Sequence, residues 1–210
     1  MNYLERRTGR IAQLLAGLTV LALGEVMIIK AHLGVIPWDV LAQGMLHQFG
    51  LTIGQWSMII GGVVLLLWIP MRERPGLGTV TNVALTGFGL DFFTRVLPAP
   101  HGPVAAGLFL VVGVVLNGIG TAAYIGSRLG SGPRDGLMTG LVRLTGGSVR
   151  LVRTCIEIAV VTAGALLGGN LGAGTFVFAL SIGMIVHVAL PYFSRAKAVV
   201  PRPEPCPEAA

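Results

Sequence analysis

"LGSGPRDG", residues 129–136, sets three glycines, a proline, an arginine and an aspartate between two apolar stretches. An earlier segment, "LGVIPWD" at 33–39, carries leucine, glycine, proline and aspartate at the same relative positions. The offset is 130 − 34 = 96 residues, and it holds far beyond the motif. Gly17 falls on Gly113, Gly24 on Gly120, Leu41 on Leu137, Gly44 on Gly140 and Gly50 on Gly146. Further on, "GLGT" (76–79) falls on "GAGT" (172–175), and Gly87 on Gly183. Agreement of proline, aspartate and the G-x-G-T motif in one register predicts two homologous halves.

Each half reads as a long apolar helix (11–31; 105–126), the glycine–proline break, a short helix (37–49; 133–145) and two further helices (53–70 and 77–96; 151–168 and 173–193). A dozen residues rising 1.5 Å each fall well short of a bilayer core of about 30 Å. The short helices are therefore expected to dip in and return. Proline suits a helix's first turn, where its missing N–H is no loss, and aspartate there favours the positive end of the dipole.

The composition excludes an ordinary soluble domain. Mean hydropathy is +0.79, and 11% of the 210 residues are charged. Glycine is abundant, at 31 residues, as close helix packing in a bilayer requires. The net charge of +6 does not point to nucleic acid, because the basic residues flank apolar segments and read as topology signals. With six spans and the N-terminus inside, only Lys30 and Arg95 of the 15 Lys and Arg residues lie outside. Crossing by the short segments would make eight spans and move Arg72, Arg74, Arg128 and Arg134 outside with Lys30, leaving a weaker bias. The expected fold is thus all-α and polytopic, with six transmembrane helices and two re-entrant helices. Three spans per half makes the second repeat inverted, the recurrent plan of secondary transporters.

The expected divisions are a cytoplasmic N-terminus (1–10), a first membrane repeat (11–96), a second (107–193) and a disordered proline-rich tail (194–210). The first apolar run reads as an uncleaved span and not as a signal peptide, since it lacks a small-residue cleavage site and has a counterpart later. Both termini are expected in the cytoplasm, and the location is the bacterial inner membrane.

Candidate ligand residues follow from the breaks: Gly34, Pro37 and Asp39 in one, Gly130, Gly132, Pro133, Arg134 and Asp135 in the other. Two short helices meeting by their N-termini would offer free N–H groups and dipoles to a polar solute. The competing reading is that Asp39 and Asp135 cap their own helices and consume those donors. The aspartates could instead serve a coupling ion or proton, and their charge argues against a purely anionic substrate. Arg134 stands opposite Trp38 in the repeat; a substrate partner, a donor to a carbonyl or a marker of the cytoplasmic interface fits it, and an interfacial aromatic fits Trp38. Glu25 sits mid-helix, where a carboxylate is costly enough to suggest function. Asp91 and His187 occupy equivalent places and are candidates for proton handling, against an interior hydrogen-bonded histidine and an Asp91–Arg95 pair at i,i+4. An Arg153–Glu157 pair is expected for the same reason. Asn82 and Asn117 suit interhelical hydrogen bonds, and Gly164 with Gly168 makes a GxxxG packing face.

No cofactor is expected, and no catalytic role. The two cysteines, Cys155 and Cys206, make no CxxC pair; the four histidines form no metal pattern; and the glycine-rich break lacks a P-loop ending.

The chain resembles the YczE/YitT group of bacterial integral membrane proteins. The likeness rests on the first helix running into "LGVIPWD", its echo "LGSGPRDG", and the paired "GLGT" and "GAGT" openings, over about residues 10–193. With only a short tail after the membrane part, the YczE-like branch matches better than relatives with a soluble C-terminal domain. The resemblance implies a polytopic inner-membrane protein and supplies no substrate. The expected function is a small transporter or channel, as a monomer or homodimer, for a polar solute. The alternative is a membrane accessory or scaffold protein that works through partners.

Overall fold

The computed structural model describes residues 3–194; the tail expected to be disordered, with Cys206, lies outside them. The described residues form eight α-helices: α1 Tyr3–Ala31, α2 Pro37–Phe49, α3 Ile53–Met71, α4 Leu77–Val96, α5 Gly102–Gly126, α6 Pro133–Thr145, α7 Val149–Leu166 and α8 Ala173–Phe193. Nearly every boundary falls within a few residues of the sequence reading. Local chemistry explains the starts. Proline opens α2 and α6, a reciprocal Thr52–Gln55 capping box opens α3, and the Ser148 hydroxyl accepts the Leu151 N–H at the head of α7.

Four of these helices, α1, α3, α5 and α8, are long and apolar enough to cross a membrane. α4 and α7 were expected among the spans and have comparable lengths, but their composition is more polar. α4 carries Asn82, Asp91 and Arg95, and α7 carries Arg150, Arg153 and Glu157.

The centre of the molecule is α1 against α5. Gly17 meets Gly120 and Gly24 meets Gly113 at backbone contact distance, so a Cβ on Gly24 would lie 2.6 Å from the Gly113 oxygen. Those pairings run the two helices antiparallel. Asn117 donates from its buried amide to the Leu21 carbonyl at 3.4 Å, as an interhelical role for it anticipates.

The helix breaks are built alike. His32 and Arg128 take left-handed φ values of 55° and 56°, and Gly34 and Gly130 take 110° and 148°. These conformations end α1 and α5, and at the two glycines they disfavour any side chain. Each break is then sealed by a helix from the other half of the chain. Gly78 N–H donates to the Leu129 carbonyl at 2.9 Å, and Gly174 N–H to the Leu33 carbonyl at 2.7 Å. The Thr79 hydroxyl donates to the Ser131 carbonyl, and the Thr175 hydroxyl to the Val35 carbonyl, both at 2.7 Å. Every partner in one bond lies 96 residues from its counterpart in the other. The G-x-G-T motif therefore serves the architecture. Its glycines admit close backbone approach, and its threonine satisfies a carbonyl that the broken helix leaves free.

The short helices are held the same way. Trp68 of α3 lies on Gly136 of α6 and donates its indole N–H to the Pro133 carbonyl at 3.1 Å. At the equivalent contact, Gly164 of α7 lies against Val40 of α2. A ring covers the glycine in the first contact, and backbone meets backbone in the second. In the GxxxG pair only Gly164 packs. Gly168 lies past the end of α7, with φ 92° and open space around it, so the packing expectation fails for that residue.

Candidate functional site

Between the starts of α2 and α6 lies a cavity of about 340 Å³. Its inner wall is Pro37 and Trp38 from one break and Gly132, Pro133, Arg134 and Asp135 from the other. Glu25 of α1, Asn117, Thr121 and Tyr124 of α5, and Asn82 and Thr86 of α4 add polar groups. Two segments 96 residues apart thus share one space.

Neither short helix is capped by a side chain. The capping alternative for Asp39 and Asp135 is overturned: Asp135 Oδ2 accepts from the Tyr124 hydroxyl at 3.2 Å, and Asp39 takes no backbone N–H among the described residues, its side chain turning to Glu25 instead. In each helix the third residue's N–H bonds back to the residue before the proline, Asp39 to Ile36 and Asp135 to Gly132. The second residues are Trp38 and Arg134. Their side chains stack, with the Arg134 guanidinium 5.0 Å from the Trp38 ring. Trp38 is buried and Arg134 lines the cavity. The stack is a cation–π contact in a largely desolvated setting, where such contacts are strongest.

Glu25 and Asp39 are each 1% exposed and are electrostatic neighbours of each other and of Arg134. Glu25 Oε1 also lacks a partner among the described residues. Glu25 faces the cavity, whereas Asp39 sits behind its wall. The two buried carboxyl groups face each other beside one guanidinium, and Glu25 is the one that presents its carboxyl group to the cavity.

Gly34 and Gly130 do not line the cavity; they make the close approach to Gly172 and to Gly76 and Thr79 that seals each break. Asp91 lies elsewhere. It accepts from the Thr52 hydroxyl at 2.6 Å and from Gly54 N–H at 3.0 Å. This ties α4 to the start of α3 and replaces the expected pair with Arg95. His187 lies on the outer face of α8, near exposed Met184 and Val188, and is not an interior hydrogen-bonded histidine. The Arg153–Glu157 pair forms as expected, at 3.1 Å, and both residues border the cavity mouth. The sequence reading missed Thr121 and Tyr124. Each is one neutral polar residue in a glycine-rich helix, with no partner visible until the helices pack.

A family of unknown function (DUF6198) matches residues 8–191. This chain belongs to that family and is YczE-like. An uncharacterized protein of Haemophilus influenzae is 40% identical over 185 residues, covering 88% of this chain and 85% of the relative. The uncharacterized membrane protein YczE of Bacillus subtilis is 38% identical over 178 residues, covering 84% and 83%. A second Bacillus subtilis protein, YyaS, is 28% identical over 183 residues, covering 85% and 91%. No solved structure matches. With four helices of spanning length and apolarity among its described residues, this YczE-like chain is a membrane protein.

Proposed function

We propose that this protein is a small secondary transporter or channel for a polar solute in the bacterial inner membrane. In this reading it is a carrier and not a catalyst. The observation that carries the reading is the shared cavity: two broken helices from different halves of the chain deliver their uncapped starts, an arginine and buried carboxyl groups to one space. Irregular backbone is tolerated at membrane depth where protein or a water-lined cavity satisfies it, and transporters place their sites at such breaks.

The topology proposed is an inverted repeat of six spans with α2 and α6 re-entrant. Three features support it: the hydrogen bonds that recur at an offset of 96, the antiparallel packing of the equivalent helices α1 and α5, and the positive-inside bias with both termini cytoplasmic. α4 and α7 complete the six; their 20 and 18 residues are of spanning length. Among their polar residues, Asn82, Thr86, Arg153 and Glu157 border the cavity.

The test uses Thr121→Cys in a background with Cys155 and Cys206 replaced by serine. A membrane-impermeant maleimide is applied to sealed vesicles of each orientation. Labelling from both sides, in proportions that shift with conditions, is the expected result. Labelling from one side alone, or from neither, sinks the transport reading and favours an accessory protein acting through partners.

A further inference from the structure

The two halves close their outer seams differently. In the first half α3 packs along α4. Gly54 lies on the Gly87 carbonyl, Met58 fills the space over Gly87, and Val83 lies on Gly61. Asp91 latches the end of that seam to Thr52 and Gly54. In the second half the equivalent positions hold other residues. Gly54 becomes Arg150, Gly61 becomes Glu157, and Asp91 becomes His187. The small residues that let α3 and α4 touch are gone from α7, and the latch carboxylate is gone from α8. Accordingly α7 packs on α2 and α6 and barely approaches α8, and Gly183, the counterpart of Gly87, faces open space. The cavity reaches the surface through this gap, past Arg153 and Glu157 on one side and Ala179 and Gly183 on the other.

We propose that the α7–α8 seam is a lateral portal through which the cavity takes an amphiphilic cation, a single-chain amine or quaternary ammonium, from the membrane. This rests on the cavity being the ligand site but not on transport. Charge selects the head group. The inner end holds Glu25, Asp135 and, behind the wall, Asp39 against one cation, Arg134, while Arg153 and Glu157 at the mouth neutralise each other. Glu25 Oε1 and both oxygens of Asp39 meet no N–H or hydroxyl donor among the described residues, and the two carboxyl groups face each other, an observation independent of the seam's geometry. Position selects the tail. Ile156, Phe178 and Ile182 line the path between the inner end and the gap, and the gap opens onto the apolar outer face of α8, where Leu180 and Met184 are exposed. An alkyl chain trailing through such a gap stays in apolar surroundings while its head reaches the carboxyl groups.

The experiment uses the full chain with Cys155 and Cys206 replaced by serine and Ala179→Cys at the portal, in phosphatidylcholine nanodiscs. Maleimide labelling is timed with dodecyltrimethylammonium, tetramethylammonium or dodecyl sulfate. Dodecyltrimethylammonium is expected to slow labelling at least tenfold and the other two less than twofold. Glu25→Gln is expected to remove the protection while leaving the rate without ligand unchanged, and that unchanged rate shows the variant folded; if it is altered, Asp135→Asn takes its place. Equal protection by dodecyl sulfate, protection by tetramethylammonium, or no protection each overturns the proposal. Two-sided labelling of Thr121→Cys without this protection rejects the portal and keeps the transport reading; protection without two-sided labelling does the reverse.

Discussion

The α3–α4 and α7–α8 seams occupy positions 96 residues apart in the sequence, yet α3 packs along α4 while α7 barely approaches α8. What differs is the side chain at a few contact positions. Helices approach to backbone distance only where the facing residues are small, and α3 offers Gly54 and Gly61 where α7 offers Arg150 and Glu157. The seals of the breaks, by contrast, are alike in both halves, each made by a glycine N–H and a threonine hydroxyl. Matching contacts at the helix breaks can thus coexist with unlike contacts at the rim.

The largest effect that sharpens this comparison comes from Gly87→Leu. A Cβ there would run into the Met58 side chain, so a loss of about 3 kcal/mol or more is expected, read as a fall in resistance to denaturant in micelles. Gly183→Leu at the equivalent place enters open space and is expected to cost less than about 0.5 kcal/mol. Equal losses would break the comparison.

Next are the threonines that seal the breaks. Thr175→Val leaves the buried Val35 carbonyl short of a donor and is expected to cost about 1–3 kcal/mol, whereas Thr79→Val frees the part-buried Ser131 carbonyl, which water can reach, and is expected to cost about 0.5–1.5 kcal/mol. The bonds have the same length but different burial, so Thr175→Val is expected to lower denaturant resistance more than Thr79→Val; the reverse order would show that burial does not set the cost. Asp91→Ala removes the latch on the head of α3 and is expected to cost about 1–2 kcal/mol, whereas His187→Ala on the outer face is expected to be near neutral. The smallest effect is expected for Arg153→Gln: an exposed pair contributes about 0–1 kcal/mol, so thermal stability stays put even though the portal has lost a charge.

Much of the fold was legible because its signals are local or periodic. Proline and glycine punctuate helices wherever they stand, so the breaks at Gly34 and Gly130 and the short helices after them could be placed from the residues alone. Glu25 announced itself by its cost in an apolar helix. The fates of Asp39, Asp91 and Trp38 were not legible, because each depends on what another segment brings. A first-turn aspartate looks the same whether it caps its helix or sits behind a cavity wall beside Glu25, as found. Asp91 looks paired to Arg95 until the start of α3 arrives with Thr52 and Gly54.

The sequence by itself determined the eight helices, the register of 96 that relates the paired motifs, and the residues that break each long helix, since apolar run length, proline and glycine act on the chain where they occur. Only the tertiary structure decided that the G-x-G-T motifs seal the opposite half's breaks, that Trp38 and Arg134 stack across one cavity, and that this cavity opens between α7 and α8. Those outcomes depend on which surfaces fit together, and fit is a property of pairs of segments far apart in the chain.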